Sequence, residues 1–264
     1  MPYFPQLQYG AMAQYPLSKQ RRARTVLSRA PGGSILRYGD PDARMVSWEL
    51  RFAGLAQEEW AAIEGLFLAS EGRLRNFVFL DPTDNLLADS EDLASVAWVK
   101  DPLLGLAAAA VDPFGGQGAT EVTNAAQTAQ SFSQTLAAPA GYQYCFSLYA
   151  RSAQPASLTL RMEAPDGTES AVLGTSSEWK RTSFSARPGT AGDGVVFRVE
   201  LNAGAVVEVA GLQVDAQAEA SAYRKTAETG GLYARARFAD DVLRKTATGP
   251  GRFAALVRIE SKAN

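Results

Sequence analysis

Histidine is absent from this sequence and cysteine occurs once, at Cys145. With no imidazole there is no Ser-His-Asp triad, no Cys-His pair and no histidine general base. A zinc site of Cys and His ligands is excluded as well. One cysteine makes no internal disulfide, so nothing points to a disulfide-stapled secreted scaffold. Long apolar runs are also missing. The longest, Leu103 to Val111, falls far short of the ~20 residues that a membrane-spanning helix needs. Met1-Pro2-Tyr3-Phe4-Pro5 has neither a basic nor an apolar stretch, so no signal peptide is expected. There is no GxxxxGK[ST], no complete GxGxxG and no HExxH, which leaves phosphate-cradle and zinc-protease readings without support. The net charge of −2 gives no global pull toward nucleic acid.

What is present describes an ordinary globular chain. Charged residues make up 20% and the hydrophobic set 46% of 264 residues, close to globular averages. A chain of this length buries about three quarters of its unfolded surface, enough for one large core or two smaller ones. The charge is unevenly placed. Residues 1–85 carry 10 basic and 9 acidic side chains and residues 226–264 carry 7 and 4, a net +4, whereas 86–225 carry 9 and 15, a net −6. Two charge shifts predict three segments, the middle one unlike its flanks.

The first segment reads as short strands and one helix. Arg24–Arg29 is strand-like, Ala30-Pro31-Gly32-Gly33-Ser34 a turn, and Ile35–Tyr38 the returning strand. Gly39-Asp40-Pro41-Asp42 is expected to turn again. Val46, Trp48, Leu50 and Phe52 then alternate with Ser47, Glu49 and Arg51, a period-two pattern that buries one face. A helix is predicted over 56–71. Glu58 and Glu59 favour its N-terminus, Trp60, Ile63, Leu66 and Phe67 form its apolar stripe, and Gly72 ends it. Asn76–Leu80 is a strand closed by Asp81-Pro82-Thr83-Asp84. The last segment holds three more strands, Leu232–Phe238, Val242–Thr248 and Phe253–Ile259, with Gly249-Pro250-Gly251 as a turn. Neither flank alone has enough strands for a sheet. The predicted domains are therefore 1–85 with 226–264, a discontinuous β-domain, and 86–225, an insertion.

The insertion reads as all-β. Strand-like runs recur at Gln130–Leu136, Tyr142–Arg151, Ala156–Glu163, Trp179–Ala186, Gly194–Leu201 and Ala205–Val214, separated by Gly, Pro, Asp and Ser clusters. Such spacing predicts a sandwich or jelly roll. Tyr142, Tyr144, Phe146 and Leu148 alternate with Gln143, Cys145, Ser147 and Tyr149, and Tyr142, Tyr144 and Phe146 are assigned to its core. The fold class is mainly β: a small β-barrel or sandwich with one packed helix, carrying an inserted β-sandwich.

Val46-Ser47-Trp48-Glu49-Leu50-Arg51-Phe52, Leu55-Ala56-Gln57-Glu58-Glu59-Trp60 and Gly72-Arg73-Leu74-Arg75-Asn76-Phe77-Val78-Phe79-Leu80-Asp81-Pro82 together resemble the distal tail and minor tail proteins of long-tailed bacteriophages. The middle segment resembles the carbohydrate-binding-like jelly rolls of phage tail proteins, through Asn85-Leu86-Leu87, Ser90-Glu91-Asp92-Leu93 to Ala97-Trp98, Tyr142 to Arg151, and Gly211-Leu212-Gln213-Val214 to Tyr223. The resemblance implies a virion protein at the distal end of the tail, made in the host cytoplasm. It implies a homo-oligomeric ring, usually six-fold, between tail tube and tail-tip hub proteins. It also implies an accessory domain that meets host-surface polysaccharide. No membrane and no specific nucleic acid is expected as partner.

Candidate residues follow from that expectation. Trp98, Tyr149 and Trp179, with Arg151 beside Tyr149, are candidates for glycan contact. The alternative for both tryptophans is the sandwich core. Lys19, Arg21, Arg22 and Arg24 form the densest basic run. They read as subunit contacts, as DNA contacts in a tail lumen, or as a solvated edge strand protected against pairing. Asp89, Glu91 and Asp92 offer the oxygens that calcium takes, or form an ordinary acidic turn; no other cofactor is expected. Cys145 reads as an inert small side chain in a strand. The chain is expected not to be an enzyme. Two competing functions remain: a polysaccharide-degrading tail protein, since two carboxylates hydrolyse a glycosidic bond without histidine, and a lectin-like receptor binder on a passive anchor.

Overall fold

The computed structural model describes residues 1–108 and 111–263. Ala109 and Ala110, part of the apolar run Leu103–Val111, lie outside the described residues. The chain folds as β1 (Ser18–Arg29), β2 (Ile35–Ala56), α1 (Gln57–Ala69), β3 (Phe77–Leu80), β4 (Val99–Lys100), β5 (Leu104–Ala108), β6 (Thr120–Asn124), β7 (Gln130–Pro139), β8 (Tyr144–Arg151), β9 (Ser157–Ala164), β10 (Gly167–Gly174), β11 (Lys180–Ala186), β12 (Asp193–Leu201), β13 (Val206–Asp215), β14 (Leu232–Phe238), β15 (Lys245–Gly249) and β16 (Arg252–Lys262). It is mainly β, with one helix among the described residues. It divides into two compact units. One comprises Met1–Gln8, Met12–Leu80 and Leu232–Asn264; the other comprises Tyr9–Ala11 and Asp81–Gly231. No helix of the described residues is long and apolar enough to cross a membrane.

The first unit is an antiparallel sheet in the order β1-β2-β16-β14-β3, with β15 on β16. Val46, Trp48, Leu50 and Phe52 of β2 are all buried, as their alternation requires. Phe4, Phe77, Phe79, Tyr233 and Phe238 are buried in the same unit, and Trp48 lies edge-on to Phe79 at 4.9 Å and to Tyr233 at 4.7 Å between ring centroids. Such edge-to-face pairs add to the gain from burial. Helix α1 buries Trp60, Ile63 and Leu66, while Phe67 is half-buried with its ring 5.1 Å from Phe238. The helix stops because Glu71 and Gly72 take left-handed φ of 51° and 65°. The Gly72 N–H then closes on Phe67 O at 3.1 Å.

Two expectations for this unit need correction. Gly39–Asp42 does not turn the chain: it lies inside β2. The β1–β2 register slips there, Arg22 facing Met45 and Arg24 facing Asp40. Pro41 has no N–H for a ladder, and the slip absorbs it. The predicted strand Val242–Thr248 is ordered as a strand only from Lys245. Beyond Met45, β2 leaves β16 and pairs with β1 alone. The two strands form a ribbon closed by the Ala30–Ser34 turn, with Ala30 N to Ser34 O at 2.9 Å.

The second unit is a sandwich of two antiparallel five-stranded sheets, β10-β9-β12-β7-β4 and β11-β8-β13-β6-β5. The chain changes sheet at each connection except the β5–β6 and β9–β10 hairpins, the weaving expected of a jelly roll. Phe197 on β12 places its ring 5.5 Å from Tyr144 and 5.7 Å from Phe146 on β8, which fixes the two sheets face to face. Leu158, Leu160, Met162, Val199, Val207 and Val209 complete that core. Tyr142, assigned to the core by alternation, is only half-buried and precedes β8. Cys145 and Ser147, on the opposite face of β8, are buried too. Burial pushes the Cys145 thiol up, away from the reactive thiolate.

The two chain segments at the boundary of this unit are tied together. Asn85 is fully buried and uses its whole amide: Nδ2 donates to Leu212 O (2.8 Å) and Arg224 O (3.2 Å), and Oδ1 accepts from Leu87 N and Val214 N. Thr226 N donates to Ser90 Oγ at 2.9 Å and Thr226 Oγ1 to Leu87 O at 2.7 Å. Asp81 N reaches Gly231 O at 2.8 Å. A Cβ on Gly230 would stand 2.1 Å from Leu86 O, so only glycine lets the segments come this close.

Candidate functional site

The outer face of the β11-β8-β13-β6-β5 sheet carries a row of polar and aromatic side chains. Strand alternation puts Tyr144, Phe146 and Leu148 inward, hence Tyr149 and Arg151 outward. The register continues the row: Arg151 faces Glu208 on β13, and Glu208 faces Glu121 on β6. Arg151 Nε lies 2.7 Å and Nη2 2.6 Å from Glu208 Oε2. Trp179, just before β11, lies with its ring 4.7 Å from the Arg151 guanidinium. Its indole N–H donates to Val111 O at 3.1 Å. Arg151 is thereby pinned between a carboxylate and an indole. Trp179 is half-buried, so it still meets solvent.

Tyr149 is covered more than expected. The Arg181 guanidinium sits 5.6 Å above its ring, and Phe114 meets it edge-on at 5.1 Å. Phe114 is itself 50% exposed and stacks on Tyr223 at 4.9 Å and 14° between planes. The rings fit because Gly211 interrupts β13 at φ 59° in a register slip between Ala210 and Gln213. A Cβ there would meet Tyr149 at 3.1 Å and Phe114 at 3.4 Å. Asp112 holds the loop that carries Phe114, accepting from Phe114 N, Gly116 N and Gly118 N, each at 2.8 Å. Burial by itself would raise that carboxyl, and the three N–H donors outweigh it, so its pKa is lowered. The Tyr223 hydroxyl, between Ser90 Oγ and Glu91 Oε1 at 3.0 Å each, is pushed up chiefly by burial.

A cavity of about 220 Å³ opens at the end of the polar row. Glu121, Glu208, Ser152–Ala156 and Gly204–Val206 line it. Among the described residues, its only two charged lining residues are the two carboxylates. Glu208 has Arg151. Glu121, half-buried, has no hydrogen-bond or ion-pair partner among the described residues. Neither glutamate stood out in the sequence. Their signal was present only as acidic residues alternating with Val122 and Val207.

The remaining candidates are placed as follows. Trp98 is withdrawn from the glycan contacts: it is 3% exposed, its ring edge-on to Phe132 at 5.8 Å, its indole N–H donating to Asp89 O at 3.0 Å. An apolar ring with one satisfied N–H is a core residue. Asp89, Glu91 and Asp92 do not converge. Asp89 takes the Ser95 hydroxyl at 2.5 Å, Asp92 caps Ala94 N at 3.0 Å, and Glu91 pairs with Lys225 at 2.5 Å. Among the described residues no group of three or more His, Cys, Asp or Glu is placed to hold a metal. In the first unit, Arg21, Arg22 and Arg24 are exposed on the edge strand β1, and Arg24 lies 3.6 Å from Asp40. Lys19 Nζ lies 5.9 Å from the Trp48 ring.

No family model and no curated protein matches the chain. Among solved structures, it is similar to the CBM22-1 xylan-binding domain from Paenibacillus barcinonensis, at 14% identity and a TM-score of 0.41, over 56% of this chain and 98% of that one. It is similar to the enzymatically active domain of tailspike protein 4 from bacteriophage CBA120, at 9% identity and 0.39, over 52% of this chain and 22% of that one. It is also similar to TmCBM61, solved with β-1,4-galactotriose, at 18% identity and 0.36, over 49% and 97%.

Proposed function

We propose that this chain is a structural protein of a phage tail tip, which assembles into a homo-oligomeric ring through its first unit and binds glycan through its second. The observation that carries the ring is the β1–β2 ribbon. Its register puts Val26, Tyr38 and Leu36 on one face and Leu27 and Ile35 on the other. All five are exposed, Leu27 at 63%. A two-stranded ribbon is at best marginally stable in water, and one with apolar side chains bare on both faces calls for cover on both. A head-to-tail ring supplies it, because each subunit then lies between two neighbours. The basic side chains of β1 serve as subunit contacts in this reading. The flanking tail tube and hub proteins are part of the same proposal.

The glycan-binding half rests on the Trp179, Arg151 and Glu208 row. An indole ring offers an apolar face to sugar C–H groups, and the charged pair beside it offers a donor and an acceptor to hydroxyls. Tyr149 acts from beneath Phe114, which is the more exposed ring. The absence of imidazole and the pairing of Glu208 with Arg151 disfavour a hydrolytic role for this row. Electron microscopy of the purified full-length chain tests the assembly. Closed rings are the expected result; a chain that stays monomeric at micromolar concentration overturns it.

A further inference from the structure

We infer that the cavity beside Arg151 selects an amino sugar, a glycan unit carrying a protonated free amine, and disfavours uronic acids. This rests on the reading of Trp179 and Arg151 as glycan contacts and adds the class of sugar to it.

The argument begins with the sheet register. Glu121 and Glu208 are direct cross-strand partners. Side chains so placed have Cβ atoms roughly 4.5–5.5 Å apart, and like charges there repel. Arg151 compensates one of the two, through both Nε and Nη2 on a single oxygen of Glu208. The other carboxylate is left half-buried and unpaired among the described residues. No cation among the described residues lines the cavity: the rest of its wall is Ser152–Ala156 and Gly204–Val206. The Ser152 hydroxyl is already committed to Gln154 O at 2.7 Å and to Thr175 Oγ1 at 2.5 Å. The cavity thus presents two carboxylates, with Gln154 as the other polar residue of its wall besides Ser152, beside the apolar surfaces of Pro155, Ala205 and Val206.

Its size limits the occupant. About 220 Å³ is below the ~300–1,000 Å³ of pockets that enclose drug-sized ligands, so it suits one sugar unit of a longer chain. Neighbouring strands are about 4.8 Å apart, so adjoining units of that chain would extend along the row to Arg151 and the Trp179 ring. An ammonium on the unit in the cavity gives Glu121 the counter-charge it lacks and relieves the repulsion from Glu208. A uronate adds a third negative charge at the same place. An acetylated amine or a plain hydroxyl supplies a hydrogen bond without the charge.

The test is calorimetric titration of the full chain with three oligosaccharides of matched length: a glucosamine oligomer, its N-acetylated counterpart and an oligogalacturonate. A charge-assisted hydrogen bond in place of a neutral one predicts about tenfold tighter binding of the glucosamine oligomer, and the weakest binding for the uronate. Glu121→Gln is expected to bring the glucosamine oligomer to the level of the acetylated one and to leave the acetylated one unchanged. It removes a like-charge pair without removing volume, and equal or higher thermal stability of the variant confirms its fold. Trp179→Ala is expected to weaken both oligomers. Equal binding of the free and acetylated oligomers, tighter binding of the uronate, or a preference that survives Glu121→Gln overturns the amine assignment alone. No binding of any of the three, with Trp179→Ala without effect, overturns the glycan-binding reading and the amine assignment with it.

Discussion

Asp112 shows how one side chain can organise a surface. Its two oxygens take three backbone N–H groups within seven residues of chain, and the loop they gather delivers Phe114 to Tyr149 and Tyr223. The carboxylate form makes these bonds, so its pKa lies below the ordinary aspartate value in the folded chain. A group with a depressed folded pKa contributes stability above its unfolded value, near pH 3.9, and that contribution disappears as pH falls through the lower folded value. Wild type is therefore expected to exceed Asp112→Asn in melting temperature at neutral pH. The gap should close as pH drops below about 4, as differential scanning calorimetry at several pH values would show. A gap that is independent of pH would assign the loop to shape alone. Phe114 itself was illegible in the sequence, because it sits in a Pro- and Gly-rich turn with no periodicity to mark it.

At the scale of elements, the strands that alternate are legible in the sequence, as are the edges β1, β3 and β11, whereas the edges β4, β5 and β10 are not. Val46–Phe52 and Tyr144–Leu148 each bury one apolar set, and period two follows directly from the pleat. The edge strand β10 reads Gly-Thr-Glu-Ser-Ala-Val-Leu-Gly, with side chains that need not be buried, so no alternation marks it. Its clue was local: the two-residue Pro165-Asp166 turn between Ala164 and Gly167, which pair across the hairpin. Asp166 secures that corner by accepting from the Thr190 hydroxyl (2.6 Å), Thr190 N and Ala191 N, bonds that lower its carboxyl pKa. The β2 extension misleads for the opposite reason. Gly39-Asp40-Pro41-Asp42 has the residues of a turn, but an ongoing ladder with β1 carries the chain through it. That extension holds the element-scale prediction. Leu27→Asp with Leu36→Asp, one on each face of the ribbon, removes the apolar cover that neighbours would share. The expected result by analytical ultracentrifugation is loss of the oligomer, with the monomer's melting temperature unchanged, since neither side chain packs against the body.

The whole molecule is two units with separate cores, and the second has what it needs to fold alone. Its sheets close on each other through Phe197, Tyr144 and Phe146. The ends of its long segment, Asp81 and Gly231, are held by a 2.8 Å hydrogen bond, and Asn85 joins both ends to β13. Residues 81–231 expressed by themselves are expected to unfold in one cooperative transition and to give a dispersed amide NMR spectrum. A molten spectrum would show that the sandwich depends on the rest of the chain. The mainly β class and the sandwich were readable from strand spacing. The candidate row on the outer sheet face is readable only in part, since Trp98 and Trp179 look alike in sequence and differ in what covers them.

In the first unit, Leu80 and Leu232 face each other as register partners on β3 and β14, roughly 5 Å apart as antiparallel neighbours are. The backbone therefore leaves that sheet and comes back to it at almost the same point. A short turn could replace everything between, and so could a different sandwich or two in tandem, without moving a single strand of the sheet. Homologues are then expected to share residues 1–80 and 232–264 more faithfully than anything placed between them.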